Sequence, residues 1–136
     1  MINPKEALEI AKNNPYKGTA KQIAKLSISI AQSAQIFDHS VFALYKDKIN
    51  ISPKIFSKLK VIGETLLEVK EQERNLLINQ FPDSYTTIHI LCSISTKDLV
   101  TSAEKGDITA NTTAKEAQSY VQQIRFPTGD GEKGKW

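Results

Sequence analysis

Residues 46–63, KDKINISPKIFSKLKVIG, combine a loop, a helix start and the densest positive charge in the chain. Ser52 stands where a helix N-cap is expected, and Pro53 takes the first helical position. Gly63 is of the residue type that most often follows the last helical turn. The stretch therefore predicts a short helix that begins sharply at residue 53.

This helix has two different faces on a helical wheel. The apolar side chains on one face are those of Ile55, Phe56, Leu59 and Ile62. The opposite face carries Lys54, Ser57, Lys58 and Val61, with Lys60 on the flank. One face is predicted to anchor the helix in a core, and the other is predicted to face solvent.

Positive charge is concentrated in this stretch. Five lysines between residues 46 and 60 against Asp47 give a local charge of +4, whereas the whole chain carries +3. The rest of the chain is therefore slightly acidic. Residues 64–74 carry four glutamates against Lys70 and Arg74, so the two neighbouring segments are predicted to form different surfaces.

Length and composition predict one soluble domain. A chain of 136 residues that is 40% hydrophobic and 24% charged can bury one core. Cys92 is the single cysteine, which excludes an internal disulfide and predicts a small buried side chain. No stretch reaches the roughly 18 continuous apolar residues of a membrane span, and MINPKEALEI lacks a signal-peptide core. These features predict a cytoplasmic protein without a membrane partner.

Capping patterns recur along the chain and predict an all-α fold. The pairs with capping-box spacing are Asn3 with Glu6, Thr19 with Gln22, Ser95 with Asp98, and Thr113 with Glu116. Apolar residues follow these starts at three- and four-residue intervals, and Gly106 is a predicted C-terminal glycine. Residues 1–125 are predicted to form a compact bundle of about six or seven short helices that contains a helix-turn-helix. Residues 126–136 are predicted to be a flexible tail, with Trp136 either anchoring a partner or unpacked.

Several stretches leave alternatives open. The serines and glutamines between Ser27 and Phe37 are predicted to keep the surface of a long helix polar, either solvated or against another chain. One bent helix or two short ones fit residues 64–81. Residues 86–94, TTIHILCSI, are β-branched enough for a strand, but an Asp83 or Ser84 cap and helical neighbours favour a helix.

Sequence motifs for catalysis are absent. The chain contains no GxxxxGK[ST], GxGxxG, HExxH or GxSxG pattern. Carboxylate pairs such as Glu64 and Glu68 have the spacing of a solvated helix face. His39 and His89 lack evident further ligands, and His39 is predicted to be a structural residue at a helix end. The sequence therefore predicts a protein that is not an enzyme and uses neither a metal nor a cofactor.

Part of the chain resembles small plasmid- and phage-borne helix-turn-helix proteins. In those proteins a His-Gly-x-Phe helix precedes a loop, a Ser N-cap and the second helix of the motif. Residues 36–64 are similar to that segment: His39, Phe42 and Tyr45 fall on its histidine, phenylalanine and aromatic positions, and Ser52 on its N-cap.

The resemblance continues downstream and covers residues 20–125. FPDSYTTIHILCSIS is similar to a Leu-Pro-x-Ser stretch of the same proteins, and EKGDITANTTAKEAQSYV to their Gly-Ile-x-Thr turn and last helix. Ser40 replaces the usual glycine, and the sequence from Lys54 to Phe56 replaces the more usual Arg-Thr-Ala.

The resemblance implies a DNA-binding protein that serves transcription regulation or the maintenance of a mobile element. Double-stranded DNA is the expected partner, and a homodimer is the expected form. The predicted base contacts are Lys54, Ser57, Lys58 and Val61. The predicted phosphate contacts are Lys46, Lys48, Asn50 and Lys60.

Other interpretations use the same residues. The basic face is also typical of an ordinary solvated helix. A phage- or plasmid-encoded interaction module, or an inhibitor of a host nucleic-acid-binding complex, would use the lysines against an acidic partner. Its acidic run from Glu64 to Glu73 would alternatively mimic nucleic acid. A structural protein of a phage particle is a further alternative.

Overall fold

Eight α-helices account for the regular structure of residues 3–37 and 41–126, the parts of the chain that this computed structural model describes. They are α1 (Pro4–Asn13), α2 (Ala20–Phe37), α3 (Val41–Lys46), α4 (Pro53–Glu68), α5 (Glu71–Gln80), α6 (Tyr85–Leu91), α7 (Thr96–Lys105) and α8 (Ala114–Arg125). The predicted all-α fold is confirmed, with more helices than the predicted six or seven. His39, Ser40 and residues 127–136, including Trp136, lie outside the described residues.

Local capping bonds begin most of these helices where the sequence placed them. Reciprocal backbone-to-side-chain bonds of 2.9–3.2 Å join Asn3 with Glu6, Thr19 with Gln22, and Thr113 with Glu116. The Asp98 amide donates to Ser95 Oγ at 3.1 Å. Gly106 ends α7 with φ of 80°, a left-handed conformation that favours glycine. These bonds connect residues three apart, so they form wherever the helix forms.

Helices α2 and α4 form the most extensive helix pair. They approach so closely that a Cβ atom on Gly63 would lie 2.0 Å from the carbonyl oxygen of Ser27. Helix α4 continues through Gly63 to Glu68, so the prediction that Gly63 ends the helix is wrong. Glycine costs about 1 kcal/mol in a helix interior, and here the close packing of the two backbones offsets that cost.

The helix bounds decide two alternatives that the sequence left open, namely one or two helices at residues 64–81 and a strand or a helix at residues 86–94. Residues 64–81 belong to two helices, since α4 ends at Glu68 and α5 begins at Glu71. Arg74 Nε donates to the Leu66 carbonyl at 2.8 Å and satisfies part of the C-terminal end of α4. Residues 85–91 form α6, which confirms the helix interpretation for residues 86–91 of this β-branched stretch, whereas residues 92–94 form a turn.

Buried serines connect α2 to α3, which corrects the prediction that they keep the surface of α2 polar. Ser27, Ser29 and Ser33 are at most 1% exposed. The hydroxyl groups of Ser29 and Ser33 lie 2.7 Å and 3.1 Å from the hydroxyl oxygen of Tyr45, which is fully buried in α3. The hydroxyls of Ser29, Ser33 and Tyr45 thus satisfy one another inside the core, whereas the buried Ser27 hydroxyl makes no hydrogen bond to the described residues.

Replacing Gly63 tests the close approach. At exposed helix positions Gly→Ala stabilises a protein by about 1 kcal/mol, but the new methyl group in Gly63→Ala would overlap the Ser27 carbonyl and Ala31. We expect the free energy of unfolding, measured in urea, to fall by about 1–3 kcal/mol. The neighbouring exposed change Glu64→Ala is the control, with an expected effect within about 0.5 kcal/mol. Equal or greater stability of Gly63→Ala would contradict the packing.

Replacing Tyr45 tests the hydroxyl cluster. Tyr45→Phe keeps the ring but removes the shared partner of two buried serine hydroxyls. We expect the free energy of unfolding to fall by about 1–2 kcal/mol in chemical denaturation. Tyr85→Phe keeps its edge-on contact with Tyr16 and serves as the control, with an expected change within about 0.5 kcal/mol. An equal change in the free energy of unfolding for Tyr45→Phe and Tyr85→Phe would show that the hydroxyl cluster adds no stability.

Candidate nucleic-acid interface

The inner side of α4 fixes its position. Leu59 and Ile62 are fully buried, and Phe56 is 8% exposed. The Phe56 ring lies 5.4 Å from that of Phe42 and 5.9 Å from that of Tyr45, measured between centroids, which joins the start of α4 to α3. The outward side chains therefore project from a helix held on both its α2 and α3 sides.

The predicted base contacts lie together on the outer side of α4. Lys54, Ser57 and Val61 are exposed, and Lys58 is half-buried. Val61 is 38% exposed, which is unusual for a large aliphatic side chain in this protein. The arrangement leaves two ammonium groups, a hydroxyl and a methyl-bearing side chain on one accessible face.

The predicted phosphate contacts are spread more widely. Lys46, Lys48 and Asn50 are exposed in or beside the loop of residues 47–52 that precedes α4. Lys60 is half-buried and lies on the other flank of α4 from Lys58, because two residues correspond to about 200° of rotation. The structure thus brings the loop residues to the start of α4 but separates Lys60 from Lys58.

Acidic residues continue the same outer face. At about 100° per residue, Glu64 and Glu68 fall on the side of α4 that carries Ser57 and Val61, and both glutamates are exposed. The prediction that they form another surface is wrong, because it depended on a helix that ended at Gly63. The outer face of α4 is therefore basic in its N-terminal half and acidic in its C-terminal half.

His89 is a neighbour of this face that the sequence did not indicate. It belongs to α6, which packs against α4. Burial lowers the pKa of His89, and the positive charge of Lys58 lowers that pKa further. Both effects favour the neutral imidazole, so His89 adds no positive charge to the interface at neutral pH.

Cys92 is buried as predicted, and burial raises the pKa of its thiol to about 12. Among residues 3–37 and 41–126, no three His, Cys, Asp or Glu side chains are grouped so that they could hold a metal ion. Over the same residues, no helix combines the length and apolar character needed to cross a membrane.

Comparison with known protein families, curated proteins and solved structures finds no match for this chain. The helix-turn-helix interpretation therefore stays a prediction that depends on α3, α4 and their connection. The connection of residues 47–52 is longer than the turn of about three or four residues that is common in that motif. Contacts of the Phe56 ring nevertheless hold the two helices together.

The proximity of Lys58 and His89 gives a test of this geometry. Removing the ammonium group in Lys58→Gln is expected to raise the pKa of His89 toward its ordinary value of 6.5, as followed by NMR titration of the imidazole protons. In the wild type, the pKa of His89 is lower in the folded protein than in the unfolded chain. The folded protein therefore loses stability as the pH falls below 6.5, the ordinary pKa of histidine. Lys60→Gln, on the other flank, is the control. An unchanged pKa in Lys58→Gln would place the two groups apart.

Proposed function

We propose that this protein binds double-stranded DNA through the N-terminal half of α4. The observation that carries the proposal is the outer face of α4, where Lys54, Ser57 and Val61 are exposed beside the half-buried Lys58, on a helix whose other side is buried. Ammonium groups bind phosphates or guanine edges, a hydroxyl bonds either, and an aliphatic side chain contacts the thymine methyl group. This face therefore offers contacts to both the backbone and the bases.

The charges on α4 dictate how the helix meets the duplex. Phosphates on both sides of the groove would repel Glu64 and Glu68, whereas they would attract Lys54 and Lys58. The helix would therefore enter the major groove with its N-terminus leading and its acidic half directed away. Recognition helices of helix-turn-helix proteins likewise read bases mainly with their N-terminal residues.

The loop before α4 supplies the backbone contacts in this proposal. Lys46, Lys48 and Asn50 are exposed on the approach to the helix start. Contacts to phosphates fix the register of a protein on DNA, although they carry no sequence information. A single copy of the protein would place one α4 on one half of a DNA site and would bind weakly, so we propose that the protein binds as a homodimer. We propose that this dimer acts in transcription regulation or in the maintenance of a plasmid or phage.

Salt dependence of binding to random duplex DNA tests the proposal. For a protein with several phosphate contacts, the affinity should fall steeply as the salt concentration rises. Each phosphate contact lowers the logarithm of the association constant by about 0.9 for every tenfold increase in salt. We expect Lys46→Ala, which removes a proposed phosphate contact at an exposed lysine, to flatten the slope by about one unit. Lys115→Ala, an exposed lysine on α8, is the matched control and should leave the slope unchanged. Absence of binding by the full chain at low salt would overturn the proposal.

A protein partner is a second candidate, which the divided charge of α4 favours. Lys54 and Lys58 are followed on the same face by Glu64 and Glu68, and a partner helix with the opposite charge order would pair with both halves. A duplex attracts only the basic half. Neutralising both glutamates would therefore strengthen DNA binding but weaken such a protein complex.

A further inference from the structure

A second basic region lies beside the loop that precedes α4. A groove of about 300 Å³ is lined by Lys5, Leu8, Glu9 and Lys12 of α1 and by Lys48 of the loop. Three lysines against one glutamate leave a net charge of +2 on the groove. Lys48 was predicted from the sequence to contact phosphate, whereas the two lysines of α1 were assigned no role.

The sequence of α1 explains why its lysines meet the loop. Lys5 and Lys12 lie seven residues apart, which is about two helical turns and places them on one face. The inner side of α1 carries Ala7 and Ala11, which are 0% and 2% exposed. Their small side chains let α1 pack closely against α2 and α3, so its lysine face lies next to the start of the α3–α4 loop.

We propose that Lys5 and Lys12 continue the phosphate-binding surface of Lys48, so that the DNA strand flanking the groove entered by α4 runs across α1. The inference rests on the proposed function and names a further part of the same interface. The two lysines start about 10 Å apart along the helix axis, since each residue advances about 1.5 Å. Phosphates advance about 3.4 Å per nucleotide along one strand, so each lysine binds a different phosphate.

The chemistry of this surface predicts affinity without sequence preference. Lysine ammonium groups on α1 bind backbone charge, and no base edge is required for their contribution. Glu9 lies between the two lysines in the helix and limits the net attraction. Loss of the lysines should therefore weaken binding to every duplex by the same factor.

The test uses the full chain with Lys5→Gln and Lys12→Gln together, in salt titrations on two duplexes of different sequence. We expect the slope of log affinity against log salt to flatten by about 1.8, which is two contacts of about 0.9 each. The ratio of affinities for the two duplexes should stay constant. Lys21→Gln with Lys25→Gln, two exposed lysines of α2, makes the same charge change as a control and should leave the slope unchanged.

The outcomes separate this inference from the function on which it rests. Absence of DNA binding by the wild-type chain would overturn both. Wild-type binding with an unchanged slope in the α1 variant would overturn the α1 contact alone. An equal flattening by the α2 control would also overturn it, because the effect would then reflect total charge. Thermal unfolding of each variant establishes that the fold is intact.

Discussion

The close approach of α2 and α4 is the constraint on which the rest of the structure depends. At Gly63 there is no room for a Cβ atom beside the Ser27 carbonyl, so a residue that weakens an isolated helix permits the close approach of α2 and α4. Ser27 and Ala31 are the small residues of α2 that lie nearest to Gly63. Ser29 and Ser33 fit into the core and bond the hydroxyl group of Tyr45, which ties α3 to the same pair.

Continuation of α4 past this contact determines the character of its outer surface. A helix ending at Gly63 would present only the basic residues, whereas the observed helix also presents Glu64 and Glu68. The face thus carries opposite charges at its two ends. Any polyanion would be attracted to the N-terminal half and repelled from the other, which gives the proposed interface a direction.

Packing of α1 brings two further lysines, Lys5 and Lys12, beside Lys48 of the loop that precedes α4. Charges separated by more than 35 positions in the sequence, Lys12 and Lys48, line one groove because Ala7 and Ala11 let α1 lie close to α2 and α3. Phosphate binding depends on where charges lie in space. A local excess such as that of residues 46–60 therefore identifies only part of a basic surface.

The sequence by itself determined the elements whose causes are local. Caps such as that between Asn3 and Glu6 join residues three apart, and the anchoring side of Leu59 and Ile62 follows from helical periodicity. Only the tertiary structure decided the role of Gly63, the burial of the α2 serines and the position of the α1 lysines. Each of these features depends on a residue that is distant in sequence. Helix propensity and polarity describe a residue in isolation, and tertiary packing overrides them where two helices are in contact.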